Sequence, residues 1–389
     1  NPPSTDKTTS DSGVDTEGEP AVTTDEQLAE FYAQHGGREA FPGTAVSALE
    51  TLLYAQDELK AGQWDAARAR LDSLFEELPL YDDRWTTGEF FDGANIGHPV
   101  AYYGLRMLDQ VLKHGPQESS DTLQMTAVLA PCAEVRRPTL PDLESETVQL
   151  ELAPEITEER LSMVTALFRA WVESISGGLK VDLVVHTLSE CTTVDYTDDG
   201  SVIVSYPDAT GMVGAVPDDI SDATHFWWVV APSGVPGDGS GYGRHFITGG
   251  MGGVGPLPLF LSDDGWFTRK PEHMGSGAYT EAELRAYQPQ WFQHEFMHHL
   301  YRTWPEYHLE DKGHQWFDRT TWPEDFEGRW EPDYYYESIE KRLLSAEPSI
   351  ADALSIELNT DPSVLNAAAL EGDYEHAPVQ NNWHIVSVG

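Results

Sequence analysis

The feature that most constrains this chain is a change in the spacing of its apolar residues near position 120. Before it, apolar residues recur every three or four positions. Leu49, Leu52, Leu53 and Leu59, then Trp64, Ala67, Leu71 and Leu74, form two stripes over residues 48–80 that break at Ala61-Gly62. That spacing gives each helix one apolar face, and the glycine lets the chain turn between them. A third helix is expected over 100–113, stopped by His114-Gly115-Pro116. After position 120 the pattern is mixed. Strands are expected at 126–135, 147–152, 180–188, 201–206, 225–231 and 257–261, and a helix at 157–176 carrying Leu161, Val164, Leu167, Phe168 and Trp171. Segment 225–231 is apolar on both faces and reads as a central strand. Helices mixed with strands imply an α+β fold: a mixed sheet preceded by a helical N-terminal region.

The expected divisions are an acidic disordered tether at 1–26, a helical domain at 27–118, an α/β upper lobe at 119–275, and a final lobe at 276–389. The turn in Ala-Gly-Gln-Trp-Asp-Ala-Ala resembles one tetratricopeptide-like hairpin. No second copy follows at the required period, so a repeat array is not expected.

Charge limits the partners. With 23 Lys+Arg against 66 Asp+Glu the net charge is -43, which repels nucleic-acid phosphates and anionic lipid headgroups. Only seven of the basic residues are lysine, and the acids are spread along the chain, as on the solvated surfaces of proteins from salty water. No D-x-[DN]-x-[DN]-G calcium loop is present, and no apolar run is long enough to span a membrane. Cys132 and Cys191 are two readings at once: a disulfide in an oxidising compartment, or buried thiols. The Ser/Thr/Asp/Glu-rich start reads as a flexible tether on a secreted, periplasmic or cell-surface protein, with a lipid anchor as one means of attachment.

Ten glycines lie within residues 231–256. No helix-like segment follows them, so a dinucleotide cradle is rejected and a mobile loop beside a cleft is expected.

The chemistry concentrates further on. Thr280 and Glu283 fit a capping box that opens one helix; Pro289 suits the first turn of the next, which Pro305 ends. That second helix, 289–303, holds His294-Glu295-Phe296-Met297-His298. Residues four apart share a helix face, so two imidazoles one turn apart can grip one Zn²⁺. Glu295, between them, can take a proton from the water the metal activates and act as general base. The bland alternative is a surface histidine pair on an amphipathic helix. His299 points away from that face and suits a hydrogen-bonded core position.

With this motif the chain resembles the zincin metallopeptidases, closely over His294–His298 and loosely over 180–345. The resemblance implies an upper lobe whose edge strand binds extended peptide, with the active helix below. The metzincin continuation would need Gly and His where this chain has Tyr301 and Trp304, so that branch is excluded. The gluzincin arrangement implies a third ligand on a downstream helix. Glu337 is the first choice there, on a helix started by Pro332 with Tyr336, Ile339 and Leu343 as a core stripe. Lys341 stands where that group often has Asp. Glu306, Glu310, Asp311 and His314 remain rivals; the Gly-Thr-x-x-Asp context of aspzincins is absent.

Tyr334 is the candidate donor to a developing oxyanion, with Tyr335 or His314 as alternatives and plain packing as the competing explanation. Trp291, Trp304, Trp316, Trp322 and Trp330 cluster near the motif, and exposed rings there would also stack on sugars. The expected function is a secreted zinc metallopeptidase acting on proteins, peptides or glycoproteins. Two alternatives stand beside it: a carbohydrate-active enzyme with a structural metal, and a non-catalytic surface binding protein that uses the helical region as platform. The run 379–384 ends in an expected strand without an assigned role.

Overall fold

A computed structural model describes residues 22–34, 36–41, 43–82, 85, 100–118, 121–136, 147–152, 157–196, 202–203, 211–221, 223–224, 226–233, 245–249, 258–259, 280–287, 289, 292–293, 296–297, 322–346 and 349–350. The helical region contains α1 (Thr24–Gln34), α2 (Gly43–Lys60), α3 (Trp64–Glu77) and α4 (Val100–His114). Helix α1 starts three residues inside the stretch read as tether, because Thr23 and Glu26 close its first turn: the Glu26 carboxylate accepts from the Thr23 amide at 2.8 Å. Between α2 and α3 the chain turns at Gly62, whose φ of 72° is the left-handed conformation that ends a helix. Leu49, Leu52, Leu53, Ala67, Leu71 and Leu74 are all buried, as their spacing requires.

Two sheets follow. Strands β1 (Thr122–Leu129), β4 (Lys180–Thr187), β7 (Phe226–Ser233), β8 (His245–Gly249) and β9 (Pro258–Leu259) form the larger, in the order β4-β1-β7-β8 with β9 also on β7. β4, β1, β7 and β9 are parallel where paired, while β8 runs antiparallel to β7. Parallel strands need crossovers; α5 (Glu158–Ile175) lies between β1 and β4 in the chain, and the short α6 (Asp218–Ser221) precedes β7. Thr157 caps α5, its hydroxyl accepting from the Arg160 amide. Strand β7 is central, as its two-sided apolar character predicts: Trp227, Trp228, Val229 and Val230 are all buried.

The smaller sheet, in the order β3-β2-β5-β6, is built from β2 (Cys132–Arg136), β3 (Thr147–Glu151), β5 (Thr192–Tyr196) and β6 (Val202–Ile203). Here three expectations fail. The single strand expected at 126–135 is two strands in different sheets; it breaks at Pro131, which cannot donate to a ladder. Strand β5 was not expected at all, being too short and polar to stand out. The glycine-rich stretch read as a loop contains β8, because backbone pairing with β7 supplies the order that side chains do not. Cys132 and Cys191 are bonded to each other, which resolves the open choice and ties the start of β2 to the residue before β5.

One apolar core runs through both regions, from Leu28 and Phe31 through Leu105, Phe168, Trp171 and Trp228 to Phe296, Tyr334 and Ile350. Its tightest crossing is at Gly104 of α4. A Cβ there would lie 2.7 Å from Leu52 Cδ2 and 3.4 Å from the Ala286 carbonyl oxygen of α7 (Glu281–Tyr287). Among the described residues no helix is long and apolar enough to cross a membrane.

Candidate metal centre

The approach to the motif is built as the sequence requires. Thr280 and Glu283 form a reciprocal cap on α7: the Glu283 carboxylate accepts from the Thr280 amide at 2.7 Å, and the Thr280 hydroxyl accepts from the Glu283 amide at 3.3 Å. At the end of α7, Arg285 is buried and donates to Thr24 and Gln27 of α1 and to the Leu53 carbonyl and Asp57 of α2, at 2.6 to 2.8 Å. Burial lowers the Arg285 pKa, and Asp57 offsets this only in part.

Within the motif segment, Phe292, Gln293, Phe296 and Met297 are helical and buried. Phe292 packs on Trp228 of the central strand and on Phe168 of α5, with centroids 5.0 and 5.5 Å apart. Phe296 packs on Trp171 at 5.4 Å. His294, Glu295, His298 and His299 lie outside the described residues. So do the rival donors Glu306, Glu310, Asp311 and His314, and Trp291, Trp304, Trp316 and segment 379–384.

Glu337 and Tyr334 are described. Both lie on α8 (Glu331–Lys341) and both turn toward the segment that precedes it. Tyr334 is buried among Trp322, Phe326 and Tyr335, with centroids 5.3, 5.1 and 6.4 Å away. Glu337 accepts from the Gly328 amide at 2.5 Å through Oε1 and from the Glu327 amide at 2.9 Å through Oε2. The Lys341 ammonium is 2.7 Å from Oε2. One turn earlier, Asp333 Oδ2 accepts from the amides of Arg329 and Trp330 at 2.9 and 3.0 Å. Two carboxylates one turn apart thus hold four consecutive amides, Glu327 to Trp330. Gly328 is required by closeness: a Cβ there would stand 2.3 Å from Asp333 Cβ and 2.8 Å from Glu337 Oε1.

Asp333 also binds α4, accepting from the Tyr102 hydroxyl at 2.7 Å and facing Arg106 Nε at 3.0 Å, all three groups buried. Burial raises the Asp333 pKa against the pull of Arg106 and the two amides. The Arg106 guanidinium also covers the Tyr336 ring at 3.9 Å. Further along α4, Gln110, Lys113 and His114 converge on Glu340. Burial alone would raise that carboxyl, but His114, Gln110 and Lys113 bring it down to about 2.

At the start of α8, Glu331 is buried and accepts a short hydrogen bond from the Tyr335 hydroxyl; burial pushes its pKa well above the usual carboxylate range. Sequence reasoning passed over Glu331. Beside Pro332 it reads as an ordinary acid in a helix's first turn, where exposure is the rule. Among the described residues no three His, Cys, Asp or Glu side chains are grouped to hold a metal. No protein-family model matches the chain, and neither a curated protein nor a solved structure matches it significantly.

Proposed function

We propose that the chain is a zinc-dependent peptidase of zincin-like construction, with His294 and His298 as metal ligands, Glu295 as general base, and a carboxylate of α8 as third ligand. The observation that carries this reading is the buried set Phe292, Gln293, Phe296 and Met297. That set is one face of a helix packed beneath the central strand and α5, and regular helical spacing assigns positions 294 and 298 to another face, one turn apart. Two imidazoles and a carboxylate are a donor set that suits zinc.

Zinc, when bound, makes water acidic enough to yield a nucleophile near neutral pH and polarises the scissile carbonyl. Glu295 takes the proton from that water on a carboxylate oxygen and returns it to the departing amine nitrogen. Strand β8, antiparallel to β7 on the outer side of the described sheet, is assigned to receive an extended peptide by strand addition. Tyr334, buried against Trp322 and Phe326, would serve as oxyanion donor only through its hydroxyl end. A disulfide supports an oxidising, extracytoplasmic location.

The test measures zinc content and hydrolysis of a generic protein substrate, with and without chelator, for the native chain and Glu295→Gln. One zinc per chain is expected, with chelator-sensitive turnover that Glu295→Gln lowers by about 10²–10⁴-fold while keeping its zinc. Undiminished turnover in that variant would remove Glu295 from the chemistry, and a zinc-free active chain would remove the metal.

A further inference from the structure

We propose that the outer edge of β4 is a self-association surface, on which a second copy of this chain pairs its own β4 antiparallel about a two-fold axis at Val184.

The backbone of β4 is used on one side. Parallel pairing with β1 runs the length of the strand, from Thr122 beside Lys180 to Leu129 beside Thr187. The Lys180 amide donates to the Asp121 carbonyl at 3.0 Å, and the Leu188 amide to the Leu129 carbonyl at 2.8 Å. In a parallel ladder one residue turns its amide and carbonyl to the same neighbour, and the next residue turns both the other way. The even-numbered residues of β4 therefore face β1. Val181, Leu183, Val185 and Thr187 present their amides and carbonyls outward. Among the described residues no strand pairs with them. The Arg169 guanidinium of α5 reaches the Val181 carbonyl at 3.5 Å, which leaves that oxygen a second lone pair. An edge of 8 residues with neither proline nor glycine is a template for another strand.

The side chains make this template complementary to itself. Two antiparallel copies use all four outward residues in one register alone: Val181 opposite the partner's Thr187, and Leu183 opposite the partner's Val185. The same register sets Asp182 opposite the partner's His186, His186 opposite the partner's Asp182, and Val184 opposite the partner's Val184. These are the pairs that share no hydrogen bonds, where facing side chains come closest. A slip of one pair either way leaves Asp182 facing Val184 or Leu188. Backbone pairing and charge thus choose one alignment. On the opposite face Leu183 and Val185 pack against the core and are half-buried, so pairing covers more of both.

That charge complementarity selects a second copy as the occupant. The chain as a whole carries -43 and repels itself, but β4 holds only Lys180, Asp182 and His186 as charged or titratable residues. Strand β8, at the other end of the strand order, stays open to the peptide assigned to it.

The test is sedimentation velocity of the full chain over a range of concentration. Salt at about 0.15 M screens charges more than roughly 8 Å apart and spares the facing pairs. A concentration-dependent dimer is expected. Val185→Pro removes an amide that β1 does not use, and should weaken the dimer about 10–100-fold with the fold intact by circular dichroism. His186→Asp sets like charges opposite each other twice and should weaken it about tenfold. Adding Asp182→His to that chain makes the facing pairs opposite again, and should return the affinity to within about threefold of native. Should Val185→Pro fail to fold, the single and double charge variants decide. A double variant that stays as weak as His186→Asp overturns the register. A chain that remains monomeric overturns the proposal. Leu183 and Val185 amides protected from hydrogen exchange would then give the edge to a segment of the same chain, and freely exchanging ones to a different partner. A dimer that neither Val185→Pro nor His186→Asp weakens overturns it too, because that dimer uses another surface.

Discussion

Two buried arginines flank the motif in sequence, and they are held in opposite ways. Arg285, before it, spreads its charge over the neutral oxygens of Thr24, Gln27 and Leu53 and over Asp57, whose side chain is 47% exposed. Arg106 faces Asp333, which lies after the motif and is 0% exposed, and Tyr102 and the largely buried Asp109 of α4 complete the group. Burial lowers the Arg285 pKa. At Arg106 burial pulls the same way, but Asp333 and Tyr102 more than reverse it. One charge is met by dipoles and a solvated partner, the other by two carboxylates, Asp333 with no access to water and Asp109 with little. Both tie the helical region to the chain around the motif. Only the second leaves a stranded ion when half of it is removed.

The contrast can be broken experimentally. Arg106→Met should cost about 3–5 kcal/mol, because Asp333 keeps its charge in a dry site. Denaturant unfolding measures this, and the added change Asp333→Leu should recover roughly half, since the Arg329 and Trp330 amides still lose their acceptor. An unaltered unfolding midpoint for Arg106→Met would show that the pair is not the anchor described. Gly328→Ala tests the same joint without touching a charge. The new methyl collides with Asp333, and thermal melts should register a loss of about 1–3 kcal/mol. Arg285→Met should cost about 2 kcal/mol by the same unfolding assay, less than Arg106→Met, because water can reach Asp57. Equal costs for the two arginines would erase the distinction.

The smallest expected effect is in acid. Glu340 is held down to about 2, so its contribution is complete above the ordinary carboxylate value of about 4.5. It is lost as pH falls from there toward 2. Glu340→Gln should flatten stability across that window by on the order of 1–2 kcal/mol, discounted because Lys113 is half exposed to solvent. A stability-against-pH curve that keeps its slope in the variant would assign the slope to other acids.

These hubs were not legible in the sequence, whereas their supports were. Local signals worked: the Thr280–Glu283 cap, the Ala61-Gly62 turn and the two-sided strand at Trp227–Val230 each depend on residues a few positions apart. Arg285 gains its meaning from Thr24 and Asp57, more than two hundred positions earlier, and no periodicity encodes that. Glu337 was picked as a ligand because the gluzincin resemblance implies a glutamate on a downstream helix. Its hold on Glu327 and Gly328 comes from a fold-back that spacing does not reveal. Glu331 shows the same limit in reverse, since nothing in Trp-Glu-Pro-Asp marks an acid as sealed from water. Pro131 did carry a readable signal, the missing donor that moves the chain from one sheet to the other, and it was overlooked among apolar neighbours.

The bond between Cys132 and Cys191 closes a ring of chain that contains all of α5 and β4, its ends 59 positions apart in sequence. A protease cut anywhere inside that ring would leave one molecule on a gel until a reductant is added. Opening the ring would give back to the unfolded chain freedom worth about 4 kcal/mol on the chain-entropy account, a large share of the roughly 5–15 kcal/mol that holds a typical domain together. Thiol concentration would therefore act on this protein much as heat does.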